Sequence, residues 1–108
     1  MINRIEIAGY ITSHTVNKMG DDHHVTIGLR HVEEYRDSMG VPVYQDQNFT
    51  VSAWNIGTDL DIGDLVCVTG KLKVHHYIDK NGIDREYYGI IAEDIKFYEH
   101  PAAHAQID

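Results

Sequence analysis

At 108 residues the chain is sized for one domain with a modest core. No apolar run approaches the roughly 18 residues of a membrane span, no signal peptide opens the chain, and one cysteine, Cys67, excludes an internal disulfide. A formal net charge of −8 works against long-range attraction to polyanions, so any such binding has to come from a local patch.

Period-two alternation predicts five strands and almost no helix. The first strand covers residues 4–11, with Ile5, Ile7 and Ile11 inward and Gly9 as a bend. Residues 13–23 are polar and read as a loop or small hairpin turning at Met19-Gly-Asp-Asp22. The second strand covers 24–35, with Val25, Ile27 and Leu29 inward. Residues 36–46 form a long hairpin arm that turns at Ser38-Met-Gly40. The third strand covers 47–55, with Phe49, Val51 and Ala53 inward and Asn48, Thr50, Ser52 and Trp54 outward.

A connector of at most one helical turn, 57–63, leads to the fourth strand, 65–77. Asp79-Lys-Asn-Gly82 is a hairpin signal, because Asn-Gly supplies the positive φ angles of a tight turn. The fifth strand covers 85–98. Residues 1–100 read as the folded domain and 101–108 as a short flexible tail. Five long, Gly-punctuated strands fit a small closed Greek-key barrel, which also removes exposed edges. A sandwich needs about seven shorter strands.

The fourth strand separates two chemistries. Val66, Val68, Leu72 and Val74 fall on one face; Lys71, Lys73, His75 and Tyr77 fall on the other. No Asp or Glu interrupts residues 65–77, whereas acids cluster at Asp21-Asp22, Glu33-Glu34, Asp59/Asp61/Asp64 and Glu93-Asp94. Screening confines repulsion from those clusters to about 8–10 Å at physiological salt. Cations beside a flat ring are what a single-stranded nucleic acid requires: charge for phosphates and a surface for bases. His75 gains charge in acid, which strengthens anion binding.

Other chemistries have little support. The adjacent pairs His23-His24 and His75-His76 diverge on strands and make poor chelates, so no metal site is expected. No cofactor is expected either: there is no Gly-rich phosphate loop, nucleophile elbow or Glu-based metal motif, and the chain reads as a non-enzyme. Cys67 in an alternating strand reads as an inert, packed thiol.

Several segments together resemble the bacterial single-stranded DNA-binding protein family. They are Asn3-Arg4-Ile-Glu-Ile-Ala-Gly9-Tyr-Ile11, Tyr35-Arg36-Asp37, Trp54, Gly63-Asp-Leu-Val-Cys-Val-Thr-Gly70-Lys-Leu72-Lys73 and Tyr77-Ile-Asp79-Lys-Asn-Gly82-Ile-Asp84-Arg85. The resemblance spans residues 2–98. It departs from the family at a shortened connector between Trp54 and Gly63, at Asn48 where an aromatic is usual, and in lacking a long tail with an acidic tip. A mobile-element relative or a primosome-type accessory protein is the nearest comparison.

The resemblance implies an all-β, five-stranded Greek-key OB-fold barrel with long hairpin arms. It implies single-stranded DNA binding without sequence preference, in replication, recombination, repair or mobile-element transfer. Tyr35, Trp54 and Tyr77 are the candidate stacking platforms. Arg4, Arg30, Arg36, Lys71, Lys73 and Arg85 are the candidate phosphate contacts, with His75 beside them. The DNA is expected to cross strands one, three and four. The resemblance further implies a homo-oligomer, a tetramer or alternatively a dimer, whose protein partners in replication or recombination are not recruited by an acidic tail; the absence of a signal peptide and the single cysteine make a cytoplasmic location the default expectation. The rival is an acidic OB-fold protein-interaction module with weak or no DNA binding, which the net charge of −8 favours.

Overall fold

The computed structural model describes residues 1–98; the expected flexible tail lies outside them. Its five strands are β1 (Ile5–Met19), β2 (Asp22–Arg36), β3 (Pro42–Trp54), β4 (Leu65–Ile78) and β5 (Asp84–Phe97). They close into a barrel in the order β1-β2-β3-β5-β4, and the described residues include no helix. None of them therefore forms a helix long and apolar enough to cross a membrane.

β1 serves two partners. Residues Ile5 to Tyr10 pair with β4, and Tyr10 to Met19 pair with β2, with a bulge between Ile11 and Ser13. The polar segment after Ile11 is thus strand rather than loop, because its backbone pairs with the start of β2 whatever its side chains are. The hairpin it forms turns at Gly20, as the sequence predicts.

The alternation sets the core. Ile11, Val25, Ile27, Leu29, Val51, Ala53, Val66, Val68, Ile90 and Ala92 are buried, and Ile5, Ile7 and Phe49 pack against them. Each fully buried aliphatic side chain contributes about 1.5–3 kcal/mol of transfer free energy. The connector adds Leu60, which caps the barrel although its neighbours are acidic. Leu72 and Val74 continue the inward parity of β4 but are exposed, because beyond Gly70 the strand leaves the barrel as one side of an arm.

Two arms project from the barrel: the outer half of β2–β3 and that of β4–β5. Their tips share one turn. Asp37 N–H donates to Val41 O and Gly40 N–H to Asp37 O; Asp79 N–H donates to Ile83 O and Gly82 N–H to Asp79 O. In both turns the Asp Oδ1 accepts from backbone N–H groups two and four residues on. Only the glycine has positive φ, 79° at Gly40 and 76° at Gly82. The second tip is therefore a type I turn with a bulged glycine, not the two-residue Asn-Gly turn read from the sequence. The aspartate side chain dictates the choice, since its carboxylate organises the following N–H groups.

Candidate nucleic-acid interface

β5 lies between β3 and β4, so strands three and four do not adjoin, and a surface that includes both runs β4, β5, β3, β2. The buried residues fix the inward parity, and the register fixes the outward one. Lys71 faces outward beside Ile91, Lys73 beside Gly89, His75 beside Tyr87 and Tyr77 beside Arg85. Ser52 continues the row from Ile91 onto β3. On β3 and β2 the outward pairs are Asn48 with Arg30, Thr50 with Gly28, Ser52 with Thr26 and Trp54 with His24. No Asp or Glu occurs among these residues. Acids border this stretch rather than enter it: Asp46 is bonded to Arg30, Glu6 and Asp94 flank Cys67, and Asp22 lies at the start of β2.

At one end of this surface, the rings of His75 and Tyr87 stack with centroids 4.7 Å apart and planes 13° from parallel. Tyr77 meets Tyr87 edge-on at 6.0 Å. Toward the other end, Trp54 leans on His24 with centroids 4.7 Å apart. The floor between them is low: Gly28, Thr26, Thr50, Ser52 and Gly89 carry little or no side chain. Gly89 matters for the near end. A Cβ there would lie 3.4 Å from His75 Nε2 and 3.7 Å from Thr50 O, so the imidazole rests over the glycine at ordinary contact distance. From Thr50, whose carbonyl lies beside Gly89, to Trp54 is four residues, or roughly 13 Å of strand.

The candidate cations divide by what already holds them. Lys71 and Lys73 are exposed and have no ion pair among the described residues. Arg4 borders Lys71, because Ile5 pairs with Gly70, and lies 3.8 Å from Glu6. Arg30 donates to Asp46 at 2.8 Å. Arg85 donates to Asp79 at 3.0 Å and Arg36 to Gly40 O at 2.8 Å, so both brace hairpin tips.

Arg4, Lys71, Lys73, His75, Tyr77 and Arg85 are thus gathered at the near end, and Arg30 and Trp54 share the same outer surface. Arg36 has the outward parity of Arg30 but stands six residues further out, on the β2–β3 arm, and Tyr35 faces the other way. Tyr35 pairs with Val43 on the β2–β3 arm and keeps the inward parity, opposite in face to Trp54 and eleven residues away along β2.

Two residues escape a reading of single strands: Tyr87 and His24. The signal for Tyr87 is present, since registering the hairpin about Gly82 places it opposite His75. His24 needs the β2–β3 register, which a long arm leaves undetermined from sequence.

Cys67 faces outward between Ala8 and Lys96. Burial first, then the carboxylates of Glu6 and Asp94, push its thiol above the ordinary range, which keeps it protonated and unreactive. Among the described residues no group of His, Cys, Asp and Glu is arranged to hold a metal.

No protein-family model matches the sequence, and no curated protein matches it. Solved structures do match. The SSB of Plasmodium falciparum, solved as a complex with ssDNA, superposes with a TM-score of 0.81 at 20% identity over 92% of this chain and 97% of that one. A deletion mutant of the single-stranded DNA binding protein from Thermus aquaticus superposes with a TM-score of 0.75 at 18% identity. That match covers 94% of this chain and 52% of the Thermus chain, so the present chain spans about half its length. The five-stranded barrel with projecting hairpin arms is therefore an OB-fold of the kind found in single-stranded DNA-binding proteins.

Proposed function

We propose that the chain binds single-stranded DNA without sequence preference. The observation that carries this reading is one stretch of outer surface, from Lys71–Tyr77 on β4 across β5 to Asn48–Trp54 on β3 and His24–Arg30 on β2, whose outward side chains include no acid: lysines with no ion pair among the described residues at one side, rings at both ends, and small uncharged residues between. A single strand offers a flexible line of phosphates and bases free to stack, and every base has a π face, so rings accept any sequence. A duplex hides those faces and is too wide and stiff for a shallow floor between rings. Bases stack on Tyr77, Tyr87 and Trp54, each ring being worth about 1–3 kcal/mol. Phosphates meet Lys71 and Lys73, with Arg4, Arg30 and Arg85 contributing less because Glu6, Asp46 and Asp79 already pair with them. Tyr35 and Arg36 join only if the strand continues onto the β2–β3 arm.

The likeness to the SSB of Plasmodium falciparum, which was solved with ssDNA, supports the same ligand class. In this reading the protein covers exposed strands in the cytoplasm during replication, recombination, repair or element transfer, and catalyses nothing. It acts as a homo-oligomer, a tetramer or a dimer, which light scattering of the eluted protein distinguishes. Competition decides the ligand: unlabelled oligo-dT should displace a labelled oligo-dT, whereas duplex of equal length should not. Failure of labelled oligo-dT to bind even at low salt would favour a protein-interaction module instead.

A further inference from the structure

We propose that His24 and His75 are ligand-contacting residues that make single-strand binding strengthen as pH falls; this rests on the reading above of the outer surface as the interface. Histidine is the side chain whose ordinary titration lies between pH 5 and 8, where phosphodiesters keep their charge throughout. What decides whether a new imidazolium charge serves a ligand is whether the protein already claims it. His31 lies 3.5 Å from Glu33 and His76 lies 3.8 Å from Glu86, so protonation there is absorbed by a carboxylate. His14 is bonded to Gly57 O.

His24 and His75 differ. Each rests on an aromatic ring, Trp54 and Tyr87, and neither is ion-paired with a carboxylate among the described residues, unlike His31 and His76. Around His75 stand Lys73 and Tyr77 on β4, Gly89, Tyr87 and Arg85 on β5, and Thr50 on β3; Arg85 is held by Asp79. Around His24 stand Asn17 on β1, Trp54 on β3, and Asp22 and Thr26 on its own strand. Asp22 keeps its charge while accepting from the Asn55 side chain, and it forms no ion pair with His24 among the described residues. A proton gained by either ring therefore adds a cation beside a stacking platform, where a phosphate follows each stacked base.

The test measures affinity for a labelled oligo-dT at pH 8.0 and pH 5.8 and constant salt, since thymine does not titrate in that range. The unmodified protein should bind about tenfold tighter at the lower pH, each histidine contributing about threefold, as for an exposed ion pair. The salt slope should steepen by about 0.7 per added charge. His24→Gln and His75→Gln should each lose about half of the logarithmic response and the double variant all of it, while a His31→Gln/His76→Gln control keeps it. A response that survives in the double variant, or an unmodified protein that binds equally at both pH values, overturns the role of the histidines and leaves the ligand intact. No binding at either pH overturns the ligand itself. Should the double variant fail to fold, the two single variants decide by the same criterion.

Discussion

The imidazole of His75 lies on the phenol ring of Tyr87, 4.7 Å between centroids and 13° from parallel, across the β4–β5 arm. Tyr87 also takes the edge of Tyr77. One tyrosine thus fixes the position of two rings on the neighbouring strand, and offset-stacked and edge-on contacts are the preferred geometries for such pairs. Tyr87→Ala should therefore weaken oligo-dT binding about tenfold or more, the upper part of the range for a single stacked base. The melting temperature should hardly change, because the ring is half exposed and outside the core. Anisotropy titration and a thermal melt check the two halves separately.

Lys71 and Lys73 should dominate the salt dependence. Their replacement together by alanine should flatten the slope of log affinity against log salt by about 1.4, roughly 0.7 for each phosphate contact removed. Arg30→Ala should flatten it less, because that guanidinium is already bound to Asp46. Titrations at several salt concentrations measure all three proteins.

Gly70 should tolerate no side chain. It sits where β5 bulges past β4, and a Cβ would run into the carbonyl of Ile91. Gly70→Ala should cost about 1–3 kcal/mol of stability, as overpacking against backbone does. Gly89→Ala, where the added carbon meets only ordinary contacts, should cost far less. Denaturant unfolding of the two variants provides the comparison.

The β4–β5 tip should loosen in acid. The Asp79 carboxylate accepts from the N–H groups of Ile83 and Asn81 and from Arg85, and these bonds, Ile83 first, hold its pKa below the ordinary aspartate range. A carboxyl with a depressed folded pKa contributes stability above its unfolded pKa and loses it as pH falls through the folded one. The amide signals of Asn81 and Ile83 should then shift with a midpoint below about pH 3.9. Asp79→Asn should remove that transition.

The barrel was legible in the sequence because its signal is local. Val25, Ile27 and Leu29, or Val66 and Val68, alternate cleanly with polar residues, and a strand buried on one face must do so. The shared outward face of Lys71, Lys73, His75 and Tyr77 was legible for the same reason, since the four lie on one strand. What the sequence withheld depends on neighbours remote in the chain. That β5 separates β3 from β4 follows from only two parallel pairs, Val51 with Ile90 and Ser52 with Ile91. Tyr35 kept the parity of the core but not its burial, because it lies past the point where β1 stops covering β2. Leu72 and Val74 are exposed on their arm for the corresponding reason on β4.

The most direct measurement follows the fluorescence of Trp54, the only tryptophan, during titration with oligo-dT at low and at moderate salt. Its indole is about half exposed, at 52%, on the outer surface. Saturable quenching at both salts, with affinity falling as salt rises, is the result expected of bases stacking in a lysine-lined groove. An unchanged indole signal with no binding at low salt would contradict it and leave the barrel with a different partner.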